Sequence, residues 1–183
     1  MTSNEARPGG ELGPGDRPVS RNTTTVAPAD LPTHSLADAP SAWQLQLPKS
    51  EMLVIFADGY GREGGELVYS LVLATRPPTL FDVVAGPLEL LDDVYTDDPE
   101  VLAADEFDWA GAADVEFSAV PGTWFVALAD GNVLEVRANE HVERDGEHLF
   151  TLSVRREGPG LPVLLVSDSL VTSVRRVVPD TPA

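Results

Sequence analysis

Cysteine is absent from the 183 residues. That excludes disulfides, thiolate nucleophiles and cysteine-based zinc sites, so burial and backbone ladders must hold whatever fold forms. Histidine, the usual general base near neutral pH, occurs three times, at His34, His141 and His148. Lysine occurs once, as Lys49 beside Pro48, at a strand junction that offers no catalytic setting. No Gly-x-Ser-x-Gly elbow occurs. The glycines of "DGYGREGG" precede a strand and not a helix, so they do not form a phosphate cradle. No apolar run approaches the roughly 18–20 residues that cross a bilayer, and the N-terminal stretch lacks the apolar core of a secretory leader. The expectation is a cytoplasmic protein with no membrane contact, no cofactor and no assignable catalytic residue.

Acid is what the chain has in excess. Its formal net charge is −18, unevenly placed. Residues 1–50 sum to −1, residues 51–130 set Arg62 and Arg76 against 17 acids for −15, and residues 131–177 return to −1. A field of that sign repels nucleic acid and anionic lipid and attracts cations or basic partners. It also keeps a protein dispersed, which is function enough for many acidic surfaces. Nucleic acid is therefore a disfavoured ligand, even though small barrels in general can bind it.

Residues 1–40 hold six of the 16 prolines, and their few large apolar residues show no period. Such a stretch buries too little surface to offset its ordering entropy and is expected to be a disordered tail. A β-rich subdomain is expected over 41–96, beginning with the alternation of Trp43, Leu45 and Leu47. Residues 97–120 read as an acidic connector with one short helix. Asp97 or Asp98 caps it, Pro99 opens it, and it runs to about Phe107. Residues 121–178 alternate most clearly: Trp124, Val126 and Leu128 on one strand, a longer strand from Val133 to Glu143, then Phe150, Leu152 and Val154. Asp145-Gly146 supplies the positive φ of a tight hairpin, and "SDSL" reads as a single helical turn before a last strand. Four strands, a helical turn and a fifth strand make the order of an SH3-like small barrel, with residues 179–183 a short tail. The class is mainly β.

The first half carries a fainter version of the second. "FADG" at 56–59 matches "LADG" at 128–131 at a spacing of 72, whereas "GGELVYSLVLATRPPT" aligns with "DGEHLFTLSVRREGPG" at a spacing of 81. The two spacings disagree. Two fused copies and one mixed antiparallel domain over 42–178 both remain open at this point.

Three groups of side chains could carry function. His141 and His148 flank the hairpin and, with Glu143 or Glu147 nearby, form a candidate transition-metal pair. Eight acids lie between Asp92 and Asp108. Asp92, Asp93, Asp97 and Asp98 are candidate ligands for a divalent cation, although the spacing is not that of an EF-hand. Arg155, Arg156, Arg175 and Arg176 form the only arginine doublets, a candidate basic patch for the acidic connector of the same or another chain. Two function classes follow. One is a non-enzymatic binding, scaffold or accessory protein with a protein partner or a second copy. The other is a metal-binding protein or hydrolase using the carboxylates. The scarcity of catalytic residue types favours the first.

Overall fold

The structure, a computed structural model, describes residues 33–36, 40–46, 51–74, 79–87, 95–96, 113–155 and 158–177. The expected helix at Pro99–Phe107 lies outside them, as do residues 1–32 of the expected tail. The tail as read from sequence is too long: Thr33–Leu36 forms strand β1, and His34 is completely buried. Thirteen strands follow: β2 Ser41–Gln46, β3 Met52–Ala57, β4 Gly59–Glu63, β5 Glu66–Leu73, β6 Thr79–Pro87, β7 Tyr95–Thr96, β8 Ala113–Glu116, β9 Gly122–Leu128, β10 Val133–Ala138, β11 Glu140–Arg144, β12 Glu147–Leu152, β13 Leu161–Ser167 and β14 Val171–Val177. Among the described residues the one helical element is a 3-10 turn, Asp168–Leu170.

The strands form two sheets. The larger runs β14-β9-β10-β6-β5-β1-β8, with β4 also on β5, and curls into a half-barrel. The smaller runs β11-β12-β13-β3-β2-β7. Alternation drives this layout, because a strand of period two presents one apolar face to a core. β12 shows it plainly, with His148, Phe150 and Leu152 buried and their neighbours only partly so. Leu53 and Ile55 of β3, Leu134 of β10, Phe150 of β12 and Leu164 of β13 meet in one core shared by both sheets.

The fold is written twice. β2 pairs β3 with Trp43 opposite Ile55, and β9 pairs β10 with Trp124 opposite Val136, each partner displaced by 81 positions. The same displacement relates the bends at Asp58 and Asn139. The backbone N–H of Asp58 donates to Ser70 O at 2.9 Å, and that of Asn139 to Thr151 O at 2.9 Å. At each bend the side chain also takes a strand N–H: Asp58 Oδ2 accepts from Val72 at 2.6 Å, and Asn139 Oδ1 from Ser153 at 2.8 Å. These contacts satisfy backbone groups that the bend would otherwise leave unpaired. The hairpin turns correspond as well. Gly64 and Gly65 have φ of 57° and 88°, Asp145 and Gly146 have 56° and 82°, and such successive positive angles suit a twisted two-residue turn. Irregular register falls at Tyr69/Ser70 and at Phe150/Thr151, again 81 apart.

The 81-residue spacing is therefore the structural one. The match of "FADG" to "LADG" at 72 aligns a bend with a turn and is coincidental. The long strand expected over Val133–Glu143 is broken at Asn139, where it passes from one sheet to the other, as β3 and β4 do at Asp58.

The two copies exchange edges. β6 of the first pairs β10 of the second, with Val84 opposite Val136. β13 of the second pairs β3 of the first, with Leu164 opposite Ile55. Because Ile55 and Val136 are equivalent, as are Val84 and Leu164, the two junctions are related by a pseudo-two-fold axis. β1 and β8 lie antiparallel to one another, Thr33 opposite Glu116. The expected subdomains 41–96 and 121–178 thus share both sheets. Separated, each would expose an apolar strand edge on β3 or β10 and another on β6 or β13.

Candidate functional site

The hairpin β11–β12 sets His141 opposite Phe150 and His148 opposite Glu143. Positions two apart on a strand share a face, so His141 and His148 are diagonal neighbours on the inner side. Their rings stack at 5.1 Å with 10° between planes, and His141 Nε2 lies 2.9 Å from His148 Nδ1. His141 also stacks on Phe150 at 4.5 Å and meets the edge of Trp124 at 5.6 Å.

Sequence reasoning missed the third member. The 3-10 turn brings Asp168 to His148, Oδ1 to Nε2 at 3.0 Å. The turn is held there because the Asp168 N–H donates to Gly146 O at 2.8 Å, tying it to the tip of the hairpin. A carboxylate only accepts, so Nε2 of His148 donates to Asp168. In the singly protonated ring Nδ1 then accepts, and Nε2 of His141 must donate to it. The result is a hydrogen-bonded chain, Asp168–His148–His141, whose outer end is the Nδ1 lone pair of His141. Burial is the main cause holding the His141 ring below its ordinary value of 6.5; His148 beside it adds to the effect, and Glu143 opposes it.

These groups border an open pocket of about 370 Å³. Trp124 forms one wall, His141 and Glu143 of β11 another, His148 and Asp168 close a third side, and residues 171–174 of β14 supply the last. The Trp124 indole N–H is engaged, donating to Ala138 O at 3.0 Å.

The equivalent place in the first copy keeps the geometry and loses the chemistry. Tyr60, Leu67 and Tyr69 precede His141, His148 and Phe150 by 81 positions. Trp43, Tyr60 and Tyr69 form an aromatic trio with centroids 5.1, 5.6 and 5.7 Å apart. The Trp43 indole repeats its counterpart's contact, donating to Ala57 O at 3.2 Å.

The histidine pair read as a metal candidate is brought together, with both nitrogens of His148 and Nε2 of His141 spent on hydrogen bonds. Among the described residues no group of three or more His, Asp or Glu side chains is arranged to hold a metal ion. Asp92, Asp93, Asp97 and Asp98 lie outside the described residues, as does Arg156. His34, expected in a tail, instead places Nε2 2.6 Å from Asp58 Oδ2 inside the larger sheet, with its Nδ1 buried and unpartnered.

The remaining arginines have separate tasks. Arg155 ties β8 to the end of β12: its guanidinium meets Glu116 Oε2 at 2.8 Å and its N–H donates to Glu116 O at 2.7 Å. Arg175 and Arg176 sit on β14 opposite Phe125 and Trp124, and each guanidinium lies over the opposing ring, at 5.6 and 5.4 Å. Gly122 makes room for the second of these, since a Cβ there would come within 3.0 Å of Arg176 Nε. Both side chains remain exposed.

No helix among the described residues is long and apolar enough to cross a membrane. Comparison with protein-family models, with curated proteins and with solved structures gives no match to this chain.

Proposed function

We propose that the protein is a non-enzymatic binding module in which β14 takes an extended acidic segment of another protein chain as an added strand. The observation that carries the reading is the state of β14. It is seven residues long, ends the larger sheet, and among the described residues pairs on one side only, with β9. Such an edge presents a row of backbone donors and acceptors, and strand addition is a common recognition mode for them. Its two arginines lie over Phe125 and Trp124 at 5.6 and 5.4 Å. A guanidinium already ordered by stacking loses less entropy on meeting a carboxylate.

The strand order of the second copy supports the same reading. The second copy runs β9, the bent pair β10–β11, β12, β13, a 3-10 turn and β14, with the edges of β10 and β13 given to the other copy, and we read this order as that of an SH3-like barrel. A second copy of this chain is a candidate partner, since its acidic residues 92–108 carry charge complementary to the two arginines. A cytoplasmic setting is part of this reading, and the net charge of −18 works against nucleic acid as partner.

Sedimentation of the full chain at low and high salt tests the proposal. Self-association that weakens with salt, and is lost in the double variant Arg175→Glu, Arg176→Glu, is the expected result. Association indifferent to both salt and reversal would overturn it.

A further inference from the structure

The pocket beside β14 has a chemistry of its own. Among the described residues no lysine or arginine lines it, and two carboxylates, Glu143 and Asp168, do. Its side-chain donors are mostly used, while the outer edge of β14 adds backbone donors and acceptors alike. The Trp124 indole N–H goes to Ala138 O, Nε2 of His148 is spent on Asp168, and the Thr172 hydroxyl donates to Ala127 O at 3.1 Å. What its side chains can offer a ligand is therefore almost entirely acceptors: the Glu143 carboxylate, the second oxygen of Asp168 and Nδ1 of His141. The Ser173 hydroxyl, which serves either way, is the exception.

From this surplus of acceptors and negative charge beside an aromatic wall, we infer that the pocket binds an organic cation rich in N–H donors, a guanidinium or ammonium group. Trp124 shows that it can receive such a group, because it already carries the Arg176 guanidinium at 5.4 Å. Charge-assisted hydrogen bonds to two carboxylates, with the ring as a flat wall, are the usual means of fixing a guanidinium. The chain Asp168–His148–His141, buried only at His148, uses Nε2 of His141 as a donor and so leaves its Nδ1 as an acceptor. The first copy, with Tyr60 and Leu67 at the matching positions, lacks every one of these acceptors. This site goes beyond the edge-strand reading and stands if that reading fails.

Acidification adds a second signature. The ionisable groups around His141 are His148 from β12, Glu143 from its own strand, Asp168 from the 3-10 turn, and Arg176 from β14 through Trp124. Protonation of His141 removes the acceptor and places a positive charge where the cation would sit, so binding weakens as pH falls.

The test is a titration of the full chain with agmatine, followed by NMR at the Trp124 indole N–H and the His141 ring protons. Saturable shifts at both are expected near pH ~7.5, and weaker binding near pH ~5.5. Glu143→Gln, on an exposed strand, should weaken binding about tenfold or more, and choline, which has no N–H, should bind worse than agmatine by a similar factor. Arg175→Glu, which faces Phe125, should leave agmatine binding in place. An acidic peptide carrying one arginine that outcompetes agmatine would assign the cation to a partner chain. Agmatine the tighter would assign it to a free amine. Either outcome upholds the pocket. No saturable shift at Trp124 and His141, or shifts that survive both Glu143→Gln and Asp168→Asn, would overturn it.

Discussion

Repeat one, β2 to β7, and repeat two, β9 to β14, share a scaffold to the level of individual hydrogen bonds and differ in what they present to solvent. Trp43 and Trp124 bond the same carbonyl position, Asp58 and Asn139 bend the same strand, and the hairpins turn on the same pair of positive φ angles. Yet the first copy fills its inner corner with tyrosines, while the second carries two histidines, an aspartate and a pocket. The groups that were kept are those whose loss would leave a backbone donor or acceptor unpaired. The groups that diverged, Tyr60 and Leu67 against His141 and His148, are not the ones that hold the shared bends and carbonyls. A duplicated scaffold can thus gain a site in one copy without cost to the other.

Splitting the copies is the harshest test of that comparison. Residues 121–178 expressed alone are expected not to give a cooperative thermal transition, because the strand edges of β10 and β13 would lose β6 and β3. A soluble, cooperatively melting fragment would show that the exchange is incidental to stability.

Next in size are the equivalent aromatics. Tyr69 and Phe150 are both essentially inaccessible, at 1% and 0%. Each replacement by alanine should cost about 3–5 kcal/mol in chemical denaturation. Similar losses at the two sites would show equal reliance on the shared core, and a large inequality would show that one copy bears most of it.

Smaller effects belong to the turns. Gly65→Val and Gly146→Val each force a β-branched residue to positive φ, at 88° and 82°, with open space around both. Strain alone should cost about 1–3 kcal/mol at each. Equal shifts in midpoint would confirm equivalent turns, and no shift at either would mean that the hairpins reform with another geometry.

The smallest effect separates the copies. The His141 ring is held below 6.5, mainly by burial, so the folded protein resists protonating it where the unfolded chain does not. Its contribution to stability is fully present above about pH 6.5 and is lost as pH falls from that value through the lower folded one. His141→Tyr restores the residue type of the first copy at Tyr60 and should flatten this part of the stability–pH curve. A curve of unchanged slope in the variant would place the titration elsewhere.

Legibility followed locality. The alternation of Trp124, Val126 and Leu128, the Asp145-Gly146 turn and the helical turn at Asp168–Leu170 are each dictated by a few adjacent residues, and all were readable. The duplication was only half readable, because "VYSL" and "LFTL" need to agree in apolar period and not in identity. β1 was hidden because its four residues, Thr33–Leu36, follow a proline-rich stretch and carry His34, whose partner Asp58 lies 24 positions away.

By itself the sequence determined that the chain is mainly β, where the Asp145-Gly146 hairpin turns, and which faces of β9, β10 and β12 look inward, since period and turn chemistry act over two to four residues. Only the tertiary structure decided that the second edge of β13 pairs with β3, and that of β6 with β10, because strand edges choose partners by the area buried across the whole core. The same distance in sequence hid the site. Asp168 reaches His148 because β13 runs back along β12, with Ser167 opposite Glu147, and the 3-10 turn is tied to Gly146; no local pattern of residues encodes that return.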